Sequence, residues 1–574
     1  MNTLTEQELL NDKGYPGFSQ DLISNQVFFG PMEVLSEADL EKYWIMEYRW
    51  PNGMCPLGMT YFEIGLTRSI QYAAEIAPLP PSNGFDFRLV GTSVYGTERE
   101  IDCDFNFVSR DFRFAQRMPG YVENFKNIWQ QDSAAILHAA RHMESQSFEG
   151  KTLAELDASL TDVTQYIRWV WERHFEHMYL LLLNHSGFYF LGEALGLDRA
   201  ELSIMFGGQK TKIGEGDEAI WKLTRQAQKA GVANLILANE TDPQAIRAGL
   251  LQGNVTAQTF NAKIDEFLAE WGWRTGTMVD PLSKSWVEDP TPLFGHLAQN
   301  LRNSEPFSLD AKLAHAKATS EAAIERARRQ LSTREREQFN LALEANQKAS
   351  FVWWNEDHNF YIDQRTGIPL RNIALAIGKA LDLEEPEDVC FLFRPEIRQV
   401  LRREKKWQDF SAMVQDRKDY FEHWKNLRLK MPKFIGTAPE SFLDPILTEL
   451  DGLSSEYLAR LAEGAVEKKL KGVTASPGVA EGRIRIVKNA DELHTIENGE
   501  ILVCEGTSPS WTAAFTRISA CLTDQGGTLS HAAIVSREYG LPCVVALGKA
   551  TTVFKDGDLV RVDGNNGIVH LIDL

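Results

Sequence analysis

The sequence predicts a multidomain protein: a large, mainly α-helical domain with a small β element near residues 80–107, followed by a compact C-terminal α/β domain. Three observations predict it. At 574 residues the chain exceeds what one hydrophobic core supports, so about two to four domains are expected. Up to about residue 470 apolar residues recur at helical spacing in long segments, and beyond about residue 472 short Val- and Ile-rich runs alternate with glycine turns. Thirteen of the 14 tryptophans also precede residue 470, leaving Trp511 alone in the last part.

The helical segments expected in order are 123–145, 155–186, 218–232, 243–271, 308–348 and 397–428. From Ser308 to Trp354 there is neither proline nor glycine, which predicts one long helix or two. The stretch PLPPSNGFDFRLVGTSVYGTEREIDCDFNF differs. Its Pro and Gly punctuation around Val90, Val94 and Tyr95 predicts a hairpin or small sheet. In the last part GRIRIV, EILVCEG, ACLTD, PCVVAL, LVRVDG and GIVHLI read as strands. Between ACLTD and PCVVAL lies one helix-length segment, SHAAIVSREYG, with Gly540 placed as a C-terminal cap. The join AVEKKLKGVTASPG passes from a charged helix end into small residues and Pro477, the composition of a hinge. The expected division is therefore a helical domain over 1–464, a linker over 465–476 and the α/β domain over 477–574.

Composition narrows the class. Hydrophobic residues make up 43% and charged residues 24%, the balance of a soluble globular protein. No apolar run of about 18 residues occurs, and the N-terminus lacks a basic region followed by an apolar stretch, so neither a membrane span nor a signal peptide is expected. The six cysteines (Cys55, Cys103, Cys390, Cys504, Cys521, Cys543) form no CxxC pair and read as reduced core residues of a cytoplasmic protein. A formal net charge of −20 repels a phosphate backbone, so nucleic acid is not an expected partner. The local basic run Arg402, Arg403, Lys405, Lys406 reads as a solvated helix face.

The chemistry is concentrated in TDQGGTLSHAAIVSREYGLPCVV, residues 523–545. Gly526 and Gly527 follow a strand and permit a tight turn with inward backbone amides. Thr528 or Ser530 can cap the next helix. His531 then falls in the first helical turn, where unpaired N–H groups and the helix dipole favour an anion. A neutral imidazole there is a nucleophile toward phosphorus, and the phosphoryl group would meet amides and hydroxyls. Arg537, one to two turns on, is placed either to contact that group or to solvate the helix. Taken alone, GG-x-x-S-H describes no more than a capping-region histidine; the strand, double glycine, hydroxyls, Ala-rich helix start and Gly540-Leu541-Pro542 turn together say more.

GGTLSHAAIVSREYGLPCVV resembles the phosphohistidine signature of the phosphoenolpyruvate-utilising enzymes, among them phosphoenolpyruvate synthase, pyruvate phosphate dikinase and rifampin phosphotransferase. The resemblance extends through TASPGVAEGRIRIV, TSPSWTAAFTRISACLTD and FKDGDLVRVDGNNGIVHLI, about residues 472–574. It implies a swivelling β/β/α domain whose phosphoryl-accepting histidine maps onto His531, supported by Gly526, Gly527, Thr528, Ser530 and Arg537. The family's dikinases add an ATP-grasp domain and a pyruvate-binding barrel. Leu574 follows His531 too soon for a barrel of about 250 residues. The first 470 residues lack the strand–helix alternation and glycine loop of a nucleotide site, GFDFRLVGTSVYG being a weak candidate. The expectation is a separate ATP-grasp subunit that binds ATP and Mg2+.

The whole chain is similar to rifampin phosphotransferase without its ATP-grasp part, and to the large, histidine-bearing subunit of phenylphosphate synthase. That likeness is carried by APLPPSNGFDFRLVGTSVYG, FLAEWGWRTGTMVDPLSKSWVEDPTPL, NEDHNFYIDQ and EDVCFLFRPEI. It implies that His531 receives the β-phosphoryl of ATP, with AMP and phosphate released, and passes it to a small hydroxyl-bearing acceptor such as a phenol or other aromatic alcohol. The acceptor needs a base and cations. Asn355-Glu356-Asp357-His358 with Tyr361, Asp363 and Arg365 is the first candidate, Glu356 or His358 serving as base and Arg365 or Arg371 as anion contact; Arg274 is the second. For each alone, a helix cap or surface ion pair is the blander reading. His174, His177 and His185 lack a completing carboxylate or cysteine pattern and read as partly buried histidines, so no metal site is expected. The competing function is a phosphocarrier or regulatory subunit relaying phosphate to another protein, or transfer to a non-aromatic alcohol.

Overall fold

A computed structural model describes residues 3–19, 33–77, 82–99, 101, 104–303, 308–462 and 469–572. The chain divides into two compact units. The first comprises Met1–Ser186, Met278–Ser283 and Tyr361–Thr448; the second comprises Gly187–Thr277, Lys284–Phe360 and Glu449–Leu574.

In the first unit a five-stranded sheet runs in the order Glu33–Val34, Phe85–Val90, Ser93–Glu98, Tyr43–Met46, Phe434–Gly436. The expected β element is its hairpin, Phe85–Val90 paired antiparallel with Ser93–Glu98. Residues 80, 81, 100, 102 and 103 of that element lie outside the described residues. The hairpin turn requires Gly91: its φ is +59°, and a Cβ there would stand 2.3 Å from the Trp424 ring. Two helices of 42 residues each follow, Asp104–Ser145 and Leu153–Ala194. The first begins well before the expected 123 and carries Pro119 inside it, where a sequence reading stops a helix. The second starts on a reciprocal cap, Thr152 N donating to Glu155 Oε2 at 2.8 Å and Glu155 N to Thr152 Oγ1 at 3.3 Å. His174, His177 and His185 are buried on it. His177 sits between Tyr121 Oη and Asp132 Oδ2, 2.8 Å from each.

The segment 397–428 is two helices, Arg394–Leu401 and Ser411–Leu427, parted near Arg403, whose φ is +60°. Arg417, fully buried, ties this region together. Its guanidinium donates to Glu396 at 2.7 and 2.9 Å, to Phe391 O at 2.9 Å and to Pro16 O at 2.8 Å.

In the second unit sequence chemistry also splits what periodicity joins. Ser308–Lys348 becomes Leu309–Gln330 and Thr333–Lys348, because Ser332 and Glu335 cap each other at the second start. Residues 243–271 become Pro243–Gln252 and Val255–Trp271, with Asn254 capping the latter through Ala257 N at 3.0 Å. Pro243–Gln252 and Val255–Trp271, with Lys212–Lys229 and Thr291–Arg302, enclose a core including Ile220, Leu223, Ile264, Leu293 and Leu297.

The C-terminal sheet has eight strands in the order Lys469–Lys471, Ile568–Leu571, Leu559–Asp563, Val479–Ile486, Ile501–Cys504, Ala520–Thr523, Cys543–Val545, Val473–Ser476. Val479–Ile486 joins its two halves: it pairs antiparallel with Leu559–Asp563 and parallel with Ile501–Cys504. The central strands bury both faces, as a parallel sheet must. Leu502, Cys504 and Cys521 point into one apolar cluster, and Ile501, Val503, Ala520 and Leu522 into the other. Of the expected linker, 465–468 lie outside the described residues, while Lys469–Lys471 and Val473–Ser476 are the two outermost strands of the sheet. Pairing partners far along the chain recruit them, which local composition does not reveal. Cys55, Cys390, Cys504, Cys521 and Cys543 are free and buried; Cys103 lies outside the described residues. Among the described residues no helix is long and apolar enough to cross a membrane.

Removing one member of a buried ion pair strands the other. Arg417→Leu should therefore destabilise the first unit by about 3–5 kcal/mol. Chemical denaturation would show this, and a loss under about 1 kcal/mol would mean that Glu396 and the two carbonyls are satisfied without Arg417.

Candidate active site around His531

The strand Ala520–Thr523 ends in the loop Asp524–Ser530 and the helix His531–Tyr539. Several bonds fix that loop. Asp524 accepts from Thr551 through both its backbone N, at 3.3 Å, and its hydroxyl, at 2.5 Å. Thr523 Oγ1 donates to Gln525 O at 2.6 Å. The loop amides donate to a neighbouring backbone segment: Gly526 N to Asp451 O at 3.0 Å, Gly527 N to Leu450 O at 2.7 Å and Leu529 N to Glu449 O at 3.1 Å. Both glycines are needed for this approach. Gly526 has φ +115°, and a Cβ on Gly527 would lie 2.2 Å from Glu449 O. The double glycine thus brings two backbones together, and these three amides are occupied by carbonyls instead of facing the histidine.

Ser530 is the N-cap, extended at ψ 157°, its hydroxyl accepting from Ala533 N at 3.4 Å. Gly540 closes the helix in the left-handed region at φ +68°. His531 is consequently the first helical residue and is buried, with 7% of its surface exposed. Nδ1 lies 2.8 Å from Thr507 Oγ1 and Nε2 lies 3.1 Å from Thr512 Oγ1. Phe515 meets the ring edge-on at 6.0 Å. Nε2 also faces the carboxylate of Glu356, 3.7 Å away and itself buried. That distance exceeds a hydrogen bond, so the two are juxtaposed and not bonded. Burial pushes the imidazole down to about 3, so the ring is neutral at neutral pH. Thr512 Oγ1 donates its hydrogen to Pro509 O at 2.9 Å, which leaves it to accept at Nε2, whereas the Thr507 hydroxyl can donate to Nδ1 or accept from it.

The two threonines were not among the residues expected from sequence. They lie in TSPSWT, after the strand Ile501–Cys504, which runs parallel to Ala520–Thr523. Parallel neighbours present their following loops at the same sheet end, so this loop and the histidine loop converge there. Thr528 and Arg537, expected to support a phosphoryl group, are placed differently from the ring's own partners. Arg537 donates to Thr528 O at 2.6 Å and to Ala475 O at 2.9 Å, fastening the helix to its loop and to the outer strand.

Of the acceptor-site candidates, Glu356 and His358 lie on the helix Phe351–Tyr361. Glu356 stands against His531, whereas His358 stacks on Trp354 at 4.2 Å and donates from Nδ1 to Trp354 O at 2.9 Å. Arg274 is buried over the Trp286 ring at 5.0 Å and faces Asp217 at 3.8 Å. Arg365 and Arg371 belong to the first unit, where Arg365 pairs with Glu144 at 2.8 Å and Arg371 with Glu387 at 2.6 Å.

Residues 496–567, which hold the ring and both threonines, match the mobile domain of the PEP-utilising enzymes. The chain carries a PEP-utiliser mobile domain. Residues 178–356 match the fourth domain of rifampicin phosphotransferase, a match whose last residue is Glu356. Chondramide synthase cmdD of Chondromyces crocatus is 32% identical over 70% of this chain and 10% of its own length. The uncharacterized phosphotransferase YvkC of Bacillus subtilis is 29% identical over 65% of this chain and 44% of its own. Rifampicin phosphotransferase of the same organism is 28% identical over 54% of this chain and 34% of its own. The chain therefore spans less than half the length of each of these relatives.

Within the mobile domain, a side chain on Gly527 has no space, whereas one on Gly540 meets only an unfavourable backbone region. Gly527→Ala should cost about 1–3 kcal/mol and shift the amide resonances of the His531 loop. Gly540→Ala should cost about 1–2 kcal/mol and leave that loop's resonances in place. Equal loop perturbation by the two variants would contradict the close-approach role of Gly527.

Proposed function

We propose that this chain is a phosphotransferase in which His531 accepts a phosphoryl group and passes it to a hydroxyl of a small acceptor, Glu356 taking the hydroxyl proton. The observation that carries this reading is the neutral, buried imidazole whose Nε2 faces the Glu356 carboxylate. Neutrality leaves one ring nitrogen with a lone pair at working pH. The orientation toward Glu356 selects Nε2, and attack requires the tautomer that keeps the proton on Nδ1, where Thr507 can accept it.

In the loading step the Nε2 lone pair forms the N–P bond as the donor's P–O bond breaks, the donor oxygen keeping that electron pair. In the discharge step the acceptor oxygen attacks phosphorus and the N–P bond breaks. The acceptor proton passes to Glu356, and the ring returns neutral with its proton still on Nδ1. Thr507, at 2.8 Å, holds that proton in place through both steps. Carrying the group between two sites excludes water from each transfer.

The groups in contact with the ring are two hydroxyls, an aromatic edge and a carboxylate. They do not form the cationic set that a triphosphate requires, and this supports ATP and Mg2+ being bound by an ATP-grasp partner. In that scheme Nε2 takes the pyrophosphoryl group of ATP as AMP leaves, and water then cleaves off the terminal phosphate, so that the β-phosphoryl stays on His531. The named phosphotransferases among the relatives support the reaction class, and an aromatic alcohol such as a phenol is the acceptor this reading favours.

Intact-mass measurement at mildly alkaline pH, with ATP, Mg2+ and an active ATP-grasp partner, should show a phosphate adduct that His531→Ala lacks. An unmodified wild-type chain beside a demonstrably active partner would overturn the phosphohistidine reading. In the resting chain the rate at which diethyl pyrocarbonate modifies His531 should also stay flat from about pH 8 down through about pH 6.5, where an ordinary histidine titrates. A decline with a midpoint near 6.5 would show that the reacting imidazole is solvated and not the buried ring.

A further inference from the structure

Three apolar clusters of the second unit each stay within one part of the chain. One draws its residues from the helices between Ile220 and Ala298; the other two draw theirs from residues 470–569. The side-chain contacts between the helices and the mobile domain include an oriented polar set. Tyr539, the last residue of the His531 helix, donates from its phenol to Asp217 Oδ2 at 3.0 Å. Asp217 is buried and faces the buried Arg274 guanidinium at 3.8 Å. Gly216 makes room for that guanidinium, since a Cβ there would lie 2.3 Å from it. The Lys312 ammonium stands 4.4 Å over the Tyr539 ring. Arg517 donates to His296 Nδ1 at 3.2 Å, and both are buried. Gln299 donates to His494 O at 3.1 Å. Beside it the backbone of Gly295 packs so closely that a Cβ would lie 2.8 Å from His494 Cβ.

Oriented polar pairs such as these add little net stability, because each partner recovers water when they part, but they fix one register. The nine-residue helix transmits that register. Held at Tyr539, it can present His531, about 12 Å away along its axis, to Glu356 in one position only. Resting on the phosphotransfer reading above, we infer that Tyr539–Asp217–Arg274, Arg517–His296 and the Gly295–His494 approach form a separable docking face, and that their side chains are positioning residues for discharge of His531 and not for its loading. Tyr539 and Asp217 are placed to act through the helix, since neither contacts the ring.

Two variants separate this role from folding. Tyr539→Phe removes one hydroxyl, and Gly295→Leu wedges the face open without altering the mobile domain. In the full-length chain each should raise the rate at which diethyl pyrocarbonate modifies His531, by about three- to tenfold for Tyr539→Phe, the equivalent of one hydrogen bond. The increase should be larger for Gly295→Leu. After loading with ATP, Mg2+ and the ATP-grasp partner, or with phosphoramidate alone, loading should match the wild type. Discharge to a panel of phenols and alcohols should slow by a similar factor. Unchanged modification rates in both folded variants would overturn the docking face, and this readout stands even if wild-type His531 takes no phosphoryl group, the result that would defeat the functional reading instead. Loading slowed as much as discharge would likewise overturn the positioning role.

Discussion

The chemistry proposed for this chain depends on keeping an imidazole uncharged inside a protein. A histidine at a helix N-terminus in water titrates near 6.5, and at neutral pH part of it is protonated and inert as a nucleophile. Burial of His531 removes that competition by penalising the cation. The cost falls on folding. Below about pH 6.5 the unfolded chain binds a proton that the folded ring refuses, so this residue's contribution to stability falls as pH drops from there toward about 3. Much of the surrounding architecture maintains the burial: the parallel strands that bring the Thr507 and His531 loops to one sheet end, the Phe515 edge, and the backbone segment 449–451 laid across the glycine loop.

That backbone segment also explains how the local sequence could be read correctly in its elements and differently in its purpose. Strand, double glycine, serine cap, helix and glycine stop follow from residue chemistry over residues 520–540, and each is present. Their amides are a different matter. An inward-pointing loop amide can meet a phosphate or a carbonyl, and here Gly526, Gly527 and Leu529 meet carbonyls contributed from about 75 residues earlier in the chain. No local pattern encodes that partner. Thr507 and Thr512 were hidden for a related reason: their role follows from which strands are parallel neighbours, a property of the sheet and not of TSPSWT.

Elsewhere legibility followed the range of the interactions. Helices were visible wherever apolar periodicity ran long, and their breaks at Ser332 and Asn254 are written in capping residues. Pro119 acted the other way, making one 42-residue helix look shorter than it is. The outer strands Lys469–Lys471 and Val473–Ser476 lacked any strong strand signal, because an edge is defined by its neighbour. Among the acidic and basic candidates, Glu356 and His358 were expected together, as alternatives, from one cluster of polar residues on a single helix; the fold turns Glu356 toward His531 and stacks His358 on Trp354. Arg365 and Arg371 had the same local appearance, yet their charges pair with Glu144 and Glu387, residues that sequence proximity does not bring to mind.

The juxtaposition of His531 with Glu356 carries its own electrostatic consequence for the proposed cycle. The buried Glu356 carboxylate stands 3.7 Å from a ring that burial keeps neutral. A phosphoryl group on Nε2 would place two or more negative oxygens in that gap, where low dielectric makes like charges costly. In the proposed cycle this arrangement suits the discharged protein, and a loaded ring would require the gap to be wider. Contacts that part at modest cost suit such a cycle, whereas a shared apolar core would resist the opening at about 25 cal/mol for each Å2 exposed. A polar docking face and an uncharged nucleophile answer the same demand: the domain must fit closely when empty and yield when charged.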